Sequence, residues 1–551
     1  MNWRFRNMIM CGLVMMMLIV ETCLVFAQSV PPTSIRLDQP VKWLRVGEHD
    51  YLRMIMSPAN TTNRSIIWTS SKPKVATVED GLVRAKSVGE TLITGQSKAK
   101  PSLKASVRLT VIRDDRHPVY QDKTLNYVFD QTTLPQIRIE ISTEEWNKLL
   151  KNYDANPKNE IEVKADFSFN KNGKVDKLTD IGFRISGNSS RRRPEGKTGQ
   201  LHRATNPDWK HAHFSFRFGK FVKNQKFRGL SALNSKWAKD DPSYVRETYS
   251  HDLFKRFNVW TAPFSSYARL TIKVKEDSKA AYFGIYQLIE SIDADFLKKR
   301  FSAQEQGFLW KNTHNSGPAD LSKSGLSSKM GIENPEQKLF KSYDLKTGKK
   351  KYSFAAREFT EFVQQLNSTK ATQNWLSSRI DVNLFLKSLA VNVGLGNGDE
   401  YWVAANNYYL YFASKGKVYF IPSDFDNTLG TSSFIKDTGR QDPLSWGSRN
   451  ERPLVTKILA VNSYREAYKN YLRSLIDSKQ NLLDARKSIT RIQAWHKLID
   501  PYVKNDTGED MVILDRPAPY SNQNGYRLLS GSAKDNFFLI KKRAIENAIK
   551  R

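Results

Sequence analysis

"FIPSDFDNTLG", residues 420–430, sets two carboxylates, Asp424 and Asp426, on either side of a phenylalanine just after an apolar run. Gly430 follows four residues later. The whole chain carries a formal net charge of +31 at pH 7, so two acidic groups held together at a strand end call for a partner. A lone Asp-x-Asp is common in loops. Its meaning depends on what the fold brings beside it.

Upstream lies "GLGNGDEYWVAANNYYLYF", residues 394–412, in which Asp399 ends an apolar helical stretch and Asn406-Asn407 enter a strand. The runs "NYYLYF" and "KVYFIP", separated by a short turn containing Gly416, predict a hairpin. Its near end would bring Asp399 and Asn407 beside Asp424 and Asp426. Hard oxygen ligands of this kind suit a divalent cation, with a further carboxylate left to orient a hydroxyl. An Asp, an Asn some residues on, a hairpin and a metal-binding Asp-Phe are the parts of phosphoryl transfer in kinase order. A solvated loop, with or without structural Ca²⁺, is the alternative.

At 551 residues the chain predicts two or three domains. A composition of 39% hydrophobic and 26% charged residues excludes a disordered tail as its main character. Arg4 and Arg6 precede the apolar run 8–20, and Val25-Phe26-Ala27 offers small residues for a signal peptidase, so residues 1–27 read as a signal peptide cleaved after Ala27. Glu21 interrupts the run before it reaches the ~20 residues of a membrane span, and no later segment is apolar enough to cross. Both cysteines, Cys11 and Cys23, fall in that leader. The mature chain therefore excludes a disulfide framework, a Cys-ligated zinc and a thiol nucleophile.

The basic balance favours acidic or phosphorylated proteins, anionic surfaces or glycans as partners. Nucleic acid is disfavoured, because no helix-turn-helix, zinc finger or aromatic-basic RNA motif accompanies the charge. His202, His211 and His213 cluster without a convincing fourth zinc ligand and read as surface histidines.

Residues 33–112 alternate short apolar runs with turn residues, as in Val75-Ala76-Thr77-Val78 and Thr91-Leu92-Ile93-Thr94, broken by Asp80-Gly81 and Gly89. Period-two runs with such punctuation predict a β-sandwich. The stretch "IIWTSSKPKVATVEDGLVRAKSVGETLIT" resembles the bacterial Ig-like domains of group 2, which are spacers or adhesion units.

From Val119 onward the pattern changes to strands with one inserted helix. "IRIEISTEEWNKLLKN" reads as a strand, an N-cap at Ser142 or Thr143, and a helix. After Lys351 helices dominate. The expected fold is multidomain: an all-β Ig-like sandwich, then an α+β two-lobed domain with a helical C-terminal region.

The ordered motifs "GFRISGNSSRRRP", "DDPSYVRETYSHDLF", "SSYARLTI", "GIYQLIESIDADFLKKRF", "GFLWK", "GNGD", "NNYYLY" and "FIPSDFDNTLG" resemble the CotH family of spore coat protein H-like kinases, over about residues 119–480. The resemblance implies a secreted or surface-linked protein-kinase-like fold that moves phosphate from ATP to protein serines, with Mg²⁺ or Mn²⁺ as cofactor. It implies Asp399 as the catalytic carboxylate and Asp424 as the metal ligand, helped by Asp426 or Asn407. Arg217 stands where the family has a lysine and is the implied phosphate-contacting cation, although its planar fork differs from an ammonium. Arg184, Asn188 and Ser189 fall in the family's glycine-rich turn and are implied phosphate contacts. Glu290, at a strand end, reads as structural.

The expected organisation is a signal peptide (1–27), an Ig-like domain (28–115), a CotH kinase-like domain (116–480) and a C-terminal helical extension (481–551). The expected setting is outside the cytoplasm: secreted, periplasmic or at the cell surface. A rival reading is a non-catalytic adhesion or scaffold protein on the same fold.

Overall fold

The structure is a computed structural model that describes residues 29–504 and 526–550, apart from 39, 41, 189, 206, 240, 303–306, 433, 448–451 and 481. The signal-peptide reading and Ser189 lie outside the described residues. The chain divides into two compact units, one running to Asp114 and one from Asp115 onward.

The first unit is all-β. Strands Trp43–Arg45, Lys104–Ile112, Gly89–Ser97 and Ile66–Ser70 form one sheet, and His49–Tyr51, Leu82–Ala85 and Ala76–Glu79 another. Along Gly89–Ser97 burial alternates, with Thr91, Ile93, Gly95 and Ser97 inward. Ile93 joins Leu44, Leu52, Val83, Leu109 and Val111 in one core. The period of two in the sequence is thus the period of the pleat.

The second unit has a sheet-rich lobe followed by a helical one. Its first lobe comprises β1 (Gln136–Ile141), α1 (Thr143–Ala155), β2 (Val163–Lys171), β3 (Lys174–Ser186), β4 (His213–Arg217), β5 (Ala232–Trp237), α2 (Arg246–Arg256), β6 (Ser265–Val274) and β7 (Ala281–Glu290). Ser142 caps α1 by accepting from the Glu145 N–H, and Glu144 and Glu145 face the positive end of the helix dipole.

The strands do not stay an open sheet. They close into a barrel in the order β1-β2-β3-β4-β5-β7-β6, sealed by parallel pairing of β1 with β6. Alternate residues fill it: Ile137, Ile139, Phe167, Phe169, Phe183, Phe214, Phe216 and Leu270 are all buried. Each such side chain contributes about 1.5–3 kcal/mol on leaving water.

The helical lobe contains a smaller sheet in which β8 (Gly307–Asn312) lies between β9 (Tyr343–Leu345) and β10 (Tyr408–Ala413), with β11 (Val418–Pro422) beyond β10. β10 and β11 form the expected hairpin, paired from Tyr408↔Pro422 to Phe412↔Val418. Helix α3 (Val382–Leu395) is buried along nearly its whole length. Residues after 480 share the same core, since Trp495, Ile499, Phe537 and Phe538 pack with Leu386, Leu389 and Val393.

Helix α2 has no polar outer face over most of its length. Every residue from Arg246 to Phe254 is buried. A helix enclosed on all sides needs its polar groups paired: Arg246 bonds the Thr428 carbonyl at 3.0 Å and pairs with Asp241.

Candidate active site

Four elements end at one cleft of about 1090 Å³. Helix α3 begins with Asp381 capping the Leu384 N–H and stops at Gly396, whose φ of 68° no side-chain-bearing residue adopts cheaply. The turn after it is held by Asn397, whose side chain accepts from the Asp399 N–H at 3.0 Å. Asp399 therefore projects from a fixed loop. Its carboxylate accepts one N–H bond from Asn406 and one from Asn407, each at 3.0 Å. Burial pushes Asp399 above the ordinary carboxylate range, and Asp426 adds to this against the two amides and Lys236.

Strand β11 delivers the second acidic loop. Asp424 takes φ 62° and Asn407 φ 55°, the left-handed conformation that Asp and Asn tolerate better than most residues. Strain of that kind is held only where packing enforces it. Here Phe425 is the anchor: it is fully buried against His251 and Phe254 of α2, with ring centroids 4.8 Å away in both cases.

The partner of the acidic pair is a residue that sequence reading missed. Lys236, on β5, places its Nζ 2.5 Å from Asp424, 3.1 Å from Asp426 and 3.1 Å from Glu247. Glu247 sits in the first turn of α2, only 3% exposed, and also accepts from the Phe425 N–H at 3.1 Å. Burial opposes its charge, but Lys236 and His251 hold Glu247 down at about 2. The three carboxylates keep Lys236 charged in spite of its burial. The Asp424 side chain is 43% exposed, yet desolvation in the cleft and the Asp426 carboxylate hold it above the ordinary carboxylate range, against the pull of Lys236. A lysine on a strand, followed in the next helix by a first-turn glutamate, was the available signal in "NSKWAKDDPSYVRET".

Asp399, Asn407, Asp424 and Asp426 thus line one cleft, as do Arg184, Asn188 and Arg217. Arg217 is the implied phosphate-contacting cation. It lies at the rim, 56% exposed and paired with Glu162 at 2.9 Å. Arg184 pairs with Glu160 at 3.4 Å, and Asn188 donates to the Asn315 side chain at 3.4 Å. Glu290 makes a buried, two-pronged pair with Arg300, at 2.8 and 2.7 Å.

The clustered histidines are not on the surface. His211 and His213 are buried, and the His202 side chain is 2% exposed, bridging Glu195 and Asp277 at 2.9 Å each. Their polarity suggested solvent, but buried partners distant in sequence satisfy them.

The chain matches the CotH kinase protein family over residues 184–524 and the bacterial Ig-like domain (group 2) over residues 31–107. It belongs to the CotH kinase protein family, and that membership suggests a kinase-like, phosphotransferase function. Among curated proteins it is 37% identical over 73 residues to an Ig-like virion protein of Serratia phage KSP90, covering 13% of this chain and 28% of that protein. It is 38% identical over 72 residues to a 3-O-alpha-D-galactosyl-alpha-L-arabinofuranosidase of Bifidobacterium longum subsp. longum, covering 13% and 6%. The chain therefore spans well under a third of the length of these relatives. Domains 4–9 of the surface layer protein SbsC align at 14% identity over 34% of this chain and 29% of that one, with a TM-score of 0.15. No helix among the described residues is long and apolar enough to cross a membrane.

Proposed function

We propose that this protein transfers the γ-phosphate of ATP to a serine or threonine hydroxyl of a secreted or surface protein. The observation that carries the reading is Lys236, which links Glu247 and Asp424 on the wall of the cleft that Asp399 also lines. A buried carboxylate that does nothing but hold a lysine beside an acidic pair is costly. It makes sense where that lysine must meet phosphate.

The donor set fits a small hard cation. Asp424 and Asp426 both reach the Lys236 Nζ, so their oxygens face one part of the cleft. Asn407 spends its amide N–H groups on Asp399, which leaves its oxygen as a ligand. Two carboxylates with remaining positions for water and phosphate match Mg²⁺ or Mn²⁺ better than an all-protein Ca²⁺ cage. Among the described residues no cluster of three or more His, Cys, Asp or Glu is arranged for a metal. When bound, the cation neutralises charge on the transferred group.

The chain's own residues do the rest. Glu247 fixes Lys236 toward the phosphates, while Arg184 and Asn188, which line the cleft, and Ser189 are the proposed phosphate contacts. Asp399 orients the acceptor hydroxyl and takes its proton as the oxygen bonds to phosphorus and the bond to ADP breaks. Its raised pKa suits it to that proton. The leader reading and the Ig-like unit support a place outside the cytoplasm, with that unit as a spacer.

The test pairs calorimetry of Mg²⁺–ATP binding with a transfer assay. Asp424→Ala should weaken metal-dependent ATP binding and abolish transfer. Asp399→Ala should bind ATP and lose ~10²–10⁴-fold in turnover, the range for a removed general base. Parent-like binding and turnover in both variants would overturn the kinase reading in favour of a scaffold.

A further inference from the structure

The cleft is larger than the roughly 300–1,000 Å³ that encloses one small ligand, and its charges are segregated. Beyond the carboxylates around Lys236 and the proposed phosphate contact Arg184, an outer wall carries Lys158, Arg191, Lys311, Lys346 and Lys349 with Glu160 and Glu333; Glu290 and Asp293 also line the cleft. Arg184 and Arg191 approach Glu160 at 3.4 and 3.6 Å, and Lys346 approaches Asp344 at 2.5 Å. Lys311 and Lys349 have no ion-pair partner within 4 Å among the described residues. Burial works to raise the Glu160 carboxyl, yet Arg184, Lys346, Lys311 and Arg191 hold it down at about 2. The positive field there outlasts the carboxylate placed inside it.

This wall is tied to Asp399 by an unbroken run of contacts. Asn406 donates to Asp399 at 3.0 Å, and its side-chain oxygen accepts from the His314 N–H at 2.9 Å. The neighbouring Asn315 donates to Glu333 at 2.8 Å, and the Glu333 N–H donates to Asp344, the partner of Lys346, at 2.9 Å. Asn312 also lines the cleft, with both polar atoms of its buried amide unpaired.

We infer that this outer wall binds an anionic group of the acceptor, a carboxylate or a phosphate, beside the hydroxyl that faces Asp399. The inference rests on the kinase reading for its site but not for its test. Acceptors are then segments in which the modified residue is flanked by acidic or already phosphorylated residues.

The experiment measures binding of fluorescent serine peptides to the full chain without nucleotide, by anisotropy. The peptides differ only in their flanks: aspartate, phosphoserine or lysine. The parent should prefer at least one anionic flank by about tenfold, the scale of one charge-assisted bond, and added salt should erode that preference. Lys311→Glu with Lys349→Glu should abolish it, and the Gln pair serves if the reversal does not fold. Lys370→Glu, an exposed lysine away from the cleft, should keep it. Equal binding of all flanks, or equal loss in Lys370→Glu, would overturn the inference, because the general basic surface would then explain the binding. Transfer run alongside separates the readings. Phosphate moved equally to every flank sinks the inference alone, whereas flank-dependent binding without transfer sinks the kinase reading alone.

Discussion

Lys236 and Glu247 stand 3.1 Å apart, and the same lysine nitrogen lies 2.5 Å from Asp424. One cation thus serves a carboxylate from the first lobe and, with Asp426 at 3.1 Å, two from the second. Lys236→Met should leave the buried Glu247 with only the His251 ring and the Phe425 N–H as partners and cost about 3–5 kcal/mol, the range for breaking a buried pair from one side. Transfer per folded molecule should fall by about 10²-fold or more, as for loss of an electrostatic stabiliser. Denaturant melts alongside the transfer assay read both. Lys236→Arg should fold nearly as well yet transfer poorly, because a planar fork cannot meet three carboxylates as an ammonium does.

Arg300 offers a contrast. Its side chain and that of Glu290 are 0% and 1% exposed, and it also donates to the carbonyls of Trp260 and Ala262. Arg300→Ala should destabilise by about 3–5 kcal/mol, with ATP affinity of the folded fraction unchanged. Lost affinity at parent-like stability would give Glu290 a nucleotide role instead.

His202 should impose a pH dependence on stability. Burial lowers its pKa, but the bonds to Glu195 and Asp277 outweigh burial and raise it above the ordinary 6.5. A folded-state pKa above the unfolded one contributes stability that is complete below about 6.5 and fades as pH rises through the raised value. Melting temperature should therefore drop across that window in the parent. His202→Gln should melt lower in acid, by about 2 kcal/mol for the lost charged bonds, and show a flatter profile. Parallel profiles would remove the histidine as the cause.

Gly430 closes the acidic loop at φ 95°, and a Cβ there would lie 2.5 Å from the Tyr526 ring. Gly430→Ala should cost about 1–3 kcal/mol, from backbone strain and overpacking. A shifted urea midpoint at constant m-value checks it.

These contrasts mark what the sequence could and could not disclose. Asp399, Asn407, Asp424 and Asp426 were legible because a short hairpin gathers them, and strand pairing is a local signal. Lys236 was not, because it meets Asp424 across 188 residues, and nothing in a strand's alternation says which inward side chain is charged for a purpose. His202 was misread for a similar reason, its second carboxylate lying 75 residues on. Alternation marks single strands such as β1, but not β5, whereas closure depends on β1 meeting β6, a parallel contact between segments far apart in the chain.

That closure bears on how the protein can be cut. The family match starts at residue 184, inside β3. A fragment begun there would lose β1, β2 and most of β3, the neighbours of β6 and β4. Both surviving strands would become open edges, baring the backbone beside Leu270 and Ile272 on one and Phe214 and Phe216 on the other. Unpaired edges recruit strands from neighbouring copies. The intact barrel has none to offer, so its seam protects the chain from aggregation.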